Sequence, residues 1–228
     1  MGDKNSGYIL ILQLTSTSIK IMQKIIAHKA CVRKTIEIKD GRLISCSWDK
    51  TIKIWKFDNN QYILENTLNQ YSKSRFSSIL DLNNNIIVST PFLNGSIVFW
   101  NIKQLEIIFQ FKKLDCSFCW NSIKKLSNKL FIVGGINSIY LFSILNYKLL
   151  NKIKIDSECS SICCLSDGNI LTGHKNGKIK QYNLINNELK FIGENKYHEK
   201  YITVIVKLKR DLILCGSYDC KINIYKNE

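Results

Sequence analysis

Apolar and polar residues alternate along most of this chain with a period of two, and turn-forming pairs cut the alternation into short pieces. One phrase returns six times: a turn pair, then x-Ile-x-x, then a bulky residue. It reads Asp49-Lys50-Thr51-Ile52-Lys53-Ile54-Trp55 in one copy and Asn176-Gly177-Lys178-Ile179-Lys180-Gln181-Tyr182 in another. The other copies close at Leu12, Trp100, Phe142 and Tyr225, so the six closing residues lie 43, 45, 42, 40 and 43 positions apart. Within a phrase, Ile52 and Ile54 point to one face of a strand, and Lys53 and Trp55 to the other. Both faces carry bulk in most copies, which places the strand between two neighbours. Asn94-Gly95 and Asn176-Gly177 are expected to form two-residue type I′ hairpin turns.

Each phrase is the third of four β-rich runs. The first runs are 32–38, 77–82, 122–126, 161–165 and 202–208; the second are 43–47, 86–90, 129–134, 169–172 and 212–217. The fourth runs are 20–26, 62–68, 105–111, 149–155 and 189–192. No stretch sustains a helical period. Four short strands in a unit of about 40 residues is the make-up of a propeller blade. The expected fold is all-β, with four full blades of four antiparallel strands and partial blades at both ends, in five to six blade positions. It forms one domain over residues 1–228.

The chain opens on a third strand (8–12) and closes on another, so strand phase does not come out even. Segment 20–26 is able to complete the C-terminal blade, which leaves 8–12 over. The alternatives are a six-position ring with a half-blade and an open arc of a larger propeller. An open arc exposes strand edges, which a partner would cover.

The segment Ala27-His28 … Ser47-Trp48-Asp49-Lys50-Thr51-Ile52-Lys53-Ile54-Trp55 resembles a WD40 repeat, as does Tyr197-His198 … Ser217-Tyr218-Asp219-Cys220-Lys221-Ile222-Asn223-Ile224-Tyr225. Histidine precedes aspartate by 21 positions in both. The resemblance implies a WD40-like β-propeller in which His28, Ser47, Asp49 and Trp55 form a buried hydrogen-bonded network, repeated by His198, Ser217 and Asp219. The three middle units lack this histidine and carry Asn94, Ile136 and Asn176 in the aspartate slot. The resemblance also implies a scaffold or adaptor that docks other proteins or peptides, plausibly inside a multiprotein complex. It implies no catalysis, cofactor, metal or small-molecule substrate.

Trp48 and Tyr218 sit in the turn itself, just before the aspartate, and large aromatics in rigid turns make good binding anchors. Lys175 holds the same slot one unit earlier than Tyr218, and Lys200 and Tyr201 follow His198. These five are the candidate protein-binding residues; the competing reading has Trp48 merely covering a neighbouring loop.

Composition changes the picture little. The formal charge is +15, but its lysines are scattered over every repeat and arginine occurs only at 33, 42, 75 and 210. That pattern describes a solvated lysine surface and argues against nucleic acid or anionic membrane as the partner, which remain the alternative function. The nine cysteines are an odd number without a secretory signal, and most fall in strands, as free thiols in a reducing cytoplasm or nucleus do. Cys116-x-x-Cys119 lacks a second pair at zinc-site spacing. His28, Ser47 and Asp49 contain the residue types of a hydrolase triad, but the set recurs with the repeat, which a single active site does not require. Met1-Gly2-Asp3-Lys4-Asn5-Ser6 fits a loose myristoylation pattern, against which the acidic third residue counts.

Overall fold

A computed structural model of the chain describes residues 7–71, 74–92, 95–112, 114, 118–209 and 212–226. Every regular element among them is a β-strand. The chain divides into two compact units, residues 1–92 with 96–111 and residues 93–95 with 112–228.

The first unit opens with an antiparallel ribbon, β1 (Gly7–Leu14) and β2 (Ile19–His28). A blade follows, β3 (Val32–Glu37), β4 (Leu43–Ser47), β5 (Ile52–Asp58) and β6 (Gln61–Leu68), paired antiparallel in that order. A second has β7 (Phe76–Asn83), β8 (Ile86–Pro91), β9 (Ile97–Asn101) and β10 (Glu106–Phe111). The alternation anticipated for the phrase places its residues: Ile52 and Ile54 are fully buried and pack with Phe76, Ile79, Val98 and Trp100 of the next blade. Trp55, on the opposite face, packs with Leu43 against Ile9, Ile25 and Ala27 of the ribbon. Each such isoleucine removed from water stabilises the fold by roughly 1.5–3 kcal/mol.

The second unit repeats the plan. One blade has β11 (Phe118–Lys125), β12 (Leu130–Gly135), β13 (Ser138–Ser143) and β14 (Leu149–Lys154). The next has β15 (Cys159–Cys164), β16 (Ile170–His174), β17 (Lys178–Ile185) and β18 (Glu188–Lys196). A single parallel bridge, Asn121 to Ser161, joins their first strands. Ile139 and Leu141 pack on Ile162, Ile170 and Tyr182 in the same manner as Ile52 and Ile54. Last comes a three-stranded sheet, β19 (Ile202–Lys207), β20 (Leu212–Ser217) and β21 (Ile222–Lys226). The phrase isoleucines of β21 are the exception to burial: Ile222 is 70% and Ile224 59% exposed. Segment 20–26, able by sequence to complete a C-terminal blade, pairs instead with β1, which therefore is not left over.

The turn reading needs correction. Asn94 lies outside the described residues, and Asn176-Gly177 is not a type I′ pair, because only Gly177 has positive φ, +81°. The connection from the second strand to the third is a four-residue turn closed by one left-handed residue. Lys50 N donates to Ser47 O (3.3 Å), Gly177 N to His174 O (3.1 Å) and Cys220 N to Ser217 O (3.2 Å). Lys50 and Cys220 take φ of 69° and 65°. Glycine is needed only at 177, where a Cβ would stand 1.8 Å from His198 O. Pairs with both φ values positive, as a type I′ turn requires, occur one hairpin later, at Asn59-Asn60 between β5 and β6 and Asn186-Asn187 between β17 and β18. Asparagine suits these sites because its short polar side chain tolerates the left-handed region. The longer turn leaves Trp48 or Tyr218 outside the ladder.

Candidate protein-interaction site

The turn carrying Trp48 rests on a hydrogen-bonded chain that begins in the core. Trp55 Nε1 donates to Ser45 Oγ (2.9 Å), Ser45 Oγ lies 2.8 Å from His28 Nε2, and His28 Nδ1 lies 2.9 Å from Asp49 Oδ2. A carboxylate only accepts, so Nδ1 carries the proton and Nε2 accepts from Ser45. Asp49 gathers further donors: Thr51 Oγ1 (2.6 Å), Thr51 N (3.0 Å) and Lys29 N (3.0 Å). Burial works against its ionisation, yet the hydrogen bonds from His28 and Thr51 outweigh that and hold the carboxyl well below the usual range.

Ser45 bridges His28 to Trp55, and Ser47 joins the network at its Asp49 end. Ser47 and Ser45 share a face of β4, but Ser47 sits at the strand end and serves the turn. It donates to Ala30 O (3.2 Å) and accepts from Asp49 N (3.0 Å). Ser45 and Ser47 stand in one alternation phase, and the register places Ser45, opposite Lys53, as the inner one.

The last sheet carries a thinner version. His198 Nδ1 is 2.8 Å from Asp219 Oδ2, and Glu199 N and Lys221 N donate to the same carboxylate (3.2 and 3.0 Å). Ser217 donates to Lys200 O (3.1 Å) and accepts from Asp219 N (3.2 Å), as Ser47 does in its turn. Asp219 too is held below the usual range, its burial outweighed by the bond from His198 and those from the Lys221 and Glu199 amides. The position of Ser45 is taken by Cys215, buried among Ile179, Ile202 and Ile213, and that of Trp55 by Tyr225, whose hydroxyl donates to Tyr197 O (3.5 Å). Among the described residues no hydroxyl bridges His198 to the third strand; Asn223 Nδ2 donates to its Nε2 over a longer 3.5 Å.

The middle units use other means. Trp100 Nε1 donates to Ser89 Oγ (2.8 Å) in a blade without the histidine. His174 occupies the slot of Ser47 and turns its ring inward: Nδ1 donates to Ser157 O (2.8 Å), and Nε2 accepts from Thr172 Oγ1 (2.8 Å). Burial pushes this imidazole down to about 4. It therefore serves its blade as a neutral hydrogen-bonded core residue.

Trp48 N donates to Cys31 O (3.1 Å), and Tyr218 N makes the matching bond to Tyr201 O (2.9 Å). The half-buried Trp48 indole meets three side chains that no sequence motif marks. Its ring centre is 4.9 Å from Arg33 Cζ, 5.3 Å from Arg75 Cζ and 6.4 Å from the Phe92 ring. Arg75 and Phe92 are fixed together by Phe92 N donating to Arg75 O (2.6 Å). The indole N–H is buried and has no hydrogen-bond partner among the described residues. In the second unit, Tyr218 stacks on Tyr201 at 5.4 Å, and Tyr201 Oη donates to Glu158 (3.5 Å). Lys175 and Lys200 are exposed; their recorded hydrogen bonds are backbone ones, Lys175 N to Glu158 O and Lys200 O from Ser217. Blade packing places Arg75 and Phe92 here, some 27 and 44 positions beyond Trp48 in sequence, so only a three-dimensional reading finds them.

Cys116 and the Met1–Ser6 segment lie outside the described residues, as does the Cys119 side chain. Cys46, Cys159 and Cys215 are buried, which pushes their thiols up to about 12. They act as small apolar core residues.

Residues 20–56, which span β2 to β5, match the WD40 family model (WD domain, G-beta repeat). A comparison with curated proteins finds no match. Among solved structures, the WD40 β-propeller domain of Doa1 superposes with a TM-score of 0.75 at 20% identity, over 91% of this chain and 68% of that one. The computationally designed Ika8 protein superposes with a TM-score of 0.74 at 16% identity, over 91% of this chain and 62% of that one. This chain therefore spans less than two thirds of the length of Ika8. At such identities the likeness concerns the fold. Fold and repeat agree: the fold is that of a WD40-like β-propeller, and residues 20–56 match a WD repeat.

Proposed function

We propose that this propeller is a non-catalytic scaffold that docks partner proteins or peptides on the turns carrying Trp48 and Tyr218. WD40 propellers in general bind other proteins, and the observation that carries the reading here is local. A large aromatic stands in a four-residue turn that a buried histidine and aspartate hold rigid, with its own N–H left unsatisfied. A rigid aromatic side chain loses little entropy on binding. The triad residue types support no competing hydrolase reading. Ser47, the candidate nucleophile, donates to a backbone carbonyl, and the recorded partners of His28 are Ser45, Asp49 and Thr51.

Selection from a displayed random-peptide library tests the proposal. The native chain is expected to enrich a shared peptide motif, and Trp48→Ala with Tyr218→Ala is expected to lose it while keeping its melting temperature within a few degrees. Equal enrichment by both proteins defeats the reading.

A further inference from the structure

We infer that the last sheet docks an extended segment of a partner protein as its fourth strand, along the outer edge of β21, and that this segment alternates apolar residues and has acidic ends. Docking here is made by main chain on a strand edge, so it stands apart from the turns carrying Trp48 and Tyr218. In the complete blades the third strand pairs on both sides, β5 with β4 and β6, and β17 with β16 and β18. β21 pairs with β20, and no other described strand pairs with it. The register tells which groups are open. Ser217 N donates to Lys221 O (3.3 Å), and the pairing continues from there without a shift. Asn223 and Tyr225 therefore turn their N–H and C=O groups toward β20, and Ile222, Ile224 and Lys226 turn theirs outward. Ile52 and Ile54, in the matching positions of β5, pair with Leu68 and Asn66 of β6.

The gap behind this edge is shaped for a side chain. Where two blades meet, an apolar residue of the later blade's fourth strand closes the packing. Ile107 of β10 lies on the cluster of Ile54, Phe76 and Trp100, and Leu189 of β18 joins that of Ile139 and Tyr182. Between the blade of β15–β18 and the last sheet, the cluster of Ile179, Ile202 and Ile213 has no such residue among the described ones. A cavity of about 350 Å³ stands there instead, and its walls include Leu171, Ile179, Gln181, Gly193, Ile213 and Tyr225. Gly193 stands opposite Gln181, and a Cβ placed on it meets nothing within 4 Å. An aliphatic side chain on a strand added to β21 fills this space. Strand addition takes its affinity from main-chain bonds and its specificity from such pockets for alternate side chains.

Charge identifies the kind of partner. Glu194, the acid beside the cavity, is paired with Lys178 and Lys180, and Asp219 with His198. Lys221 and Lys226 bracket β21, are exposed, and form no ion pair among the described residues. Lysines at a strand edge repel strands of like charge, and a second copy of a +15 chain supplies such strands. An acidic segment is attracted instead.

A labelled peptide of about eight residues, leucine alternating with threonine between glutamate ends, tests this when titrated into the full chain in 0.15 M salt and followed by anisotropy. It is expected to bind, and the amides of Ile222, Ile224 and Lys226 should then exchange with deuterium more slowly, while those of Asn223 and Tyr225 change little. A lysine-ended version should bind about tenfold more weakly. With the leucines facing the cavity, the threonines stand opposite Ile222 and Ile224. N-methylation of the threonines should abolish binding, and N-methylation of the leucines, whose N–H groups point away from β21, should spare it. Gly193→Leu, which fills the cavity, should raise the Kd about tenfold. Lys226→Glu should raise it more than Lys103→Glu, the same charge change in the exposed β9–β10 turn. Thermal melts accompany each variant, and the peptide arms keep the test decisive if a variant unfolds. Failure of the glutamate-ended peptide to bind, binding that leaves the three outward amides unprotected, or equal binding by the two N-methylated peptides overturns the inference. A folded Gly193→Leu with unchanged affinity, or a Lys103→Glu effect as large as that of Lys226→Glu, overturns it as well.

Discussion

The first WD repeat and the last sheet carry nearly the same sequence signature but different hydrogen-bond networks. In the first, one line of bonds runs from Trp55 in the third strand through Ser45 and His28 to Asp49 in the turn. In the last, His198 and Asp219 pair equally well, but the imidazole reaches the third strand only through Asn223 Nδ2 at 3.5 Å, because Cys215 and Tyr225 stand where Ser45 and Trp55 do. The histidine–aspartate pair alone suffices to shape the turn: Trp48 N and Tyr218 N make matching bonds, as do Ser47 and Ser217. The serine–tryptophan half adds an anchor to the core. Turn shape and turn anchoring are thus separable, and the difference lies in a short buried hydroxyl bridge against a long amide contact.

The sharpest way to break this comparison is to remove each aspartate. Asp49→Ala strands the buried His28 N–H and three other donors, and should cost on the order of 3 kcal/mol in urea unfolding. Asp219→Ala should lower the melting temperature less, because its surroundings are less enclosed; an equal or larger drop would contradict the ranking. Next comes the bridging position itself. Ser45→Ala leaves the Trp55 and His28 groups unpaired inside the fold and should cost about 1–3 kcal/mol, whereas Cys215→Ala should cost less than about 1 kcal/mol, as the loss of a small apolar group.

A third region sharpens the comparison through pH. His174 titrates at about 4 when folded, against an ordinary 6.5. Between those values the unfolded chain binds a proton that the folded chain does not, so stability should fall as pH drops from about 6.5 to about 4 and then level off. A shift of this size corresponds to roughly 3 kcal/mol, and His174→Gln should flatten that window in urea titrations. Asp49 acts elsewhere. Its lowered carboxyl contributes stability that persists above the ordinary carboxylate range and is lost only as pH falls below it. The smallest expected effect is that of Tyr201→Ala. It removes the ring stacked on the exposed Tyr218 and should shift the melting temperature by only a degree or two.

The strand order was legible because the period of two and the forty-residue repeat both come from backbone packing, which side-chain identity signals directly. β4 and β20 occupy the segments expected for them, 43–47 and 212–217. The turn type was not legible, because Asn-Gly is compatible with more than one left-handed arrangement and the pairing register decides between them. Ser45 escaped notice for a related reason: Ser45 and Ser47 share a face, and the choice depends on which of them lies beneath the His28 ring. Arg75 and Phe92 were beyond reach altogether, since their approach to Trp48 is set by one blade packing on the next.

The claim that the first repeat is anchored by a line of short bonds, and the last only by a long amide contact to its third strand, is tested most directly by paired double-mutant cycles. His28→Ala combined with Trp55→Phe should show a coupling of about 1 kcal/mol, carried by Ser45 and abolished by Ser45→Ala. His198→Ala combined with Tyr225→Phe should show clearly less. Equal couplings in the two repeats, or none in the first, would contradict the account.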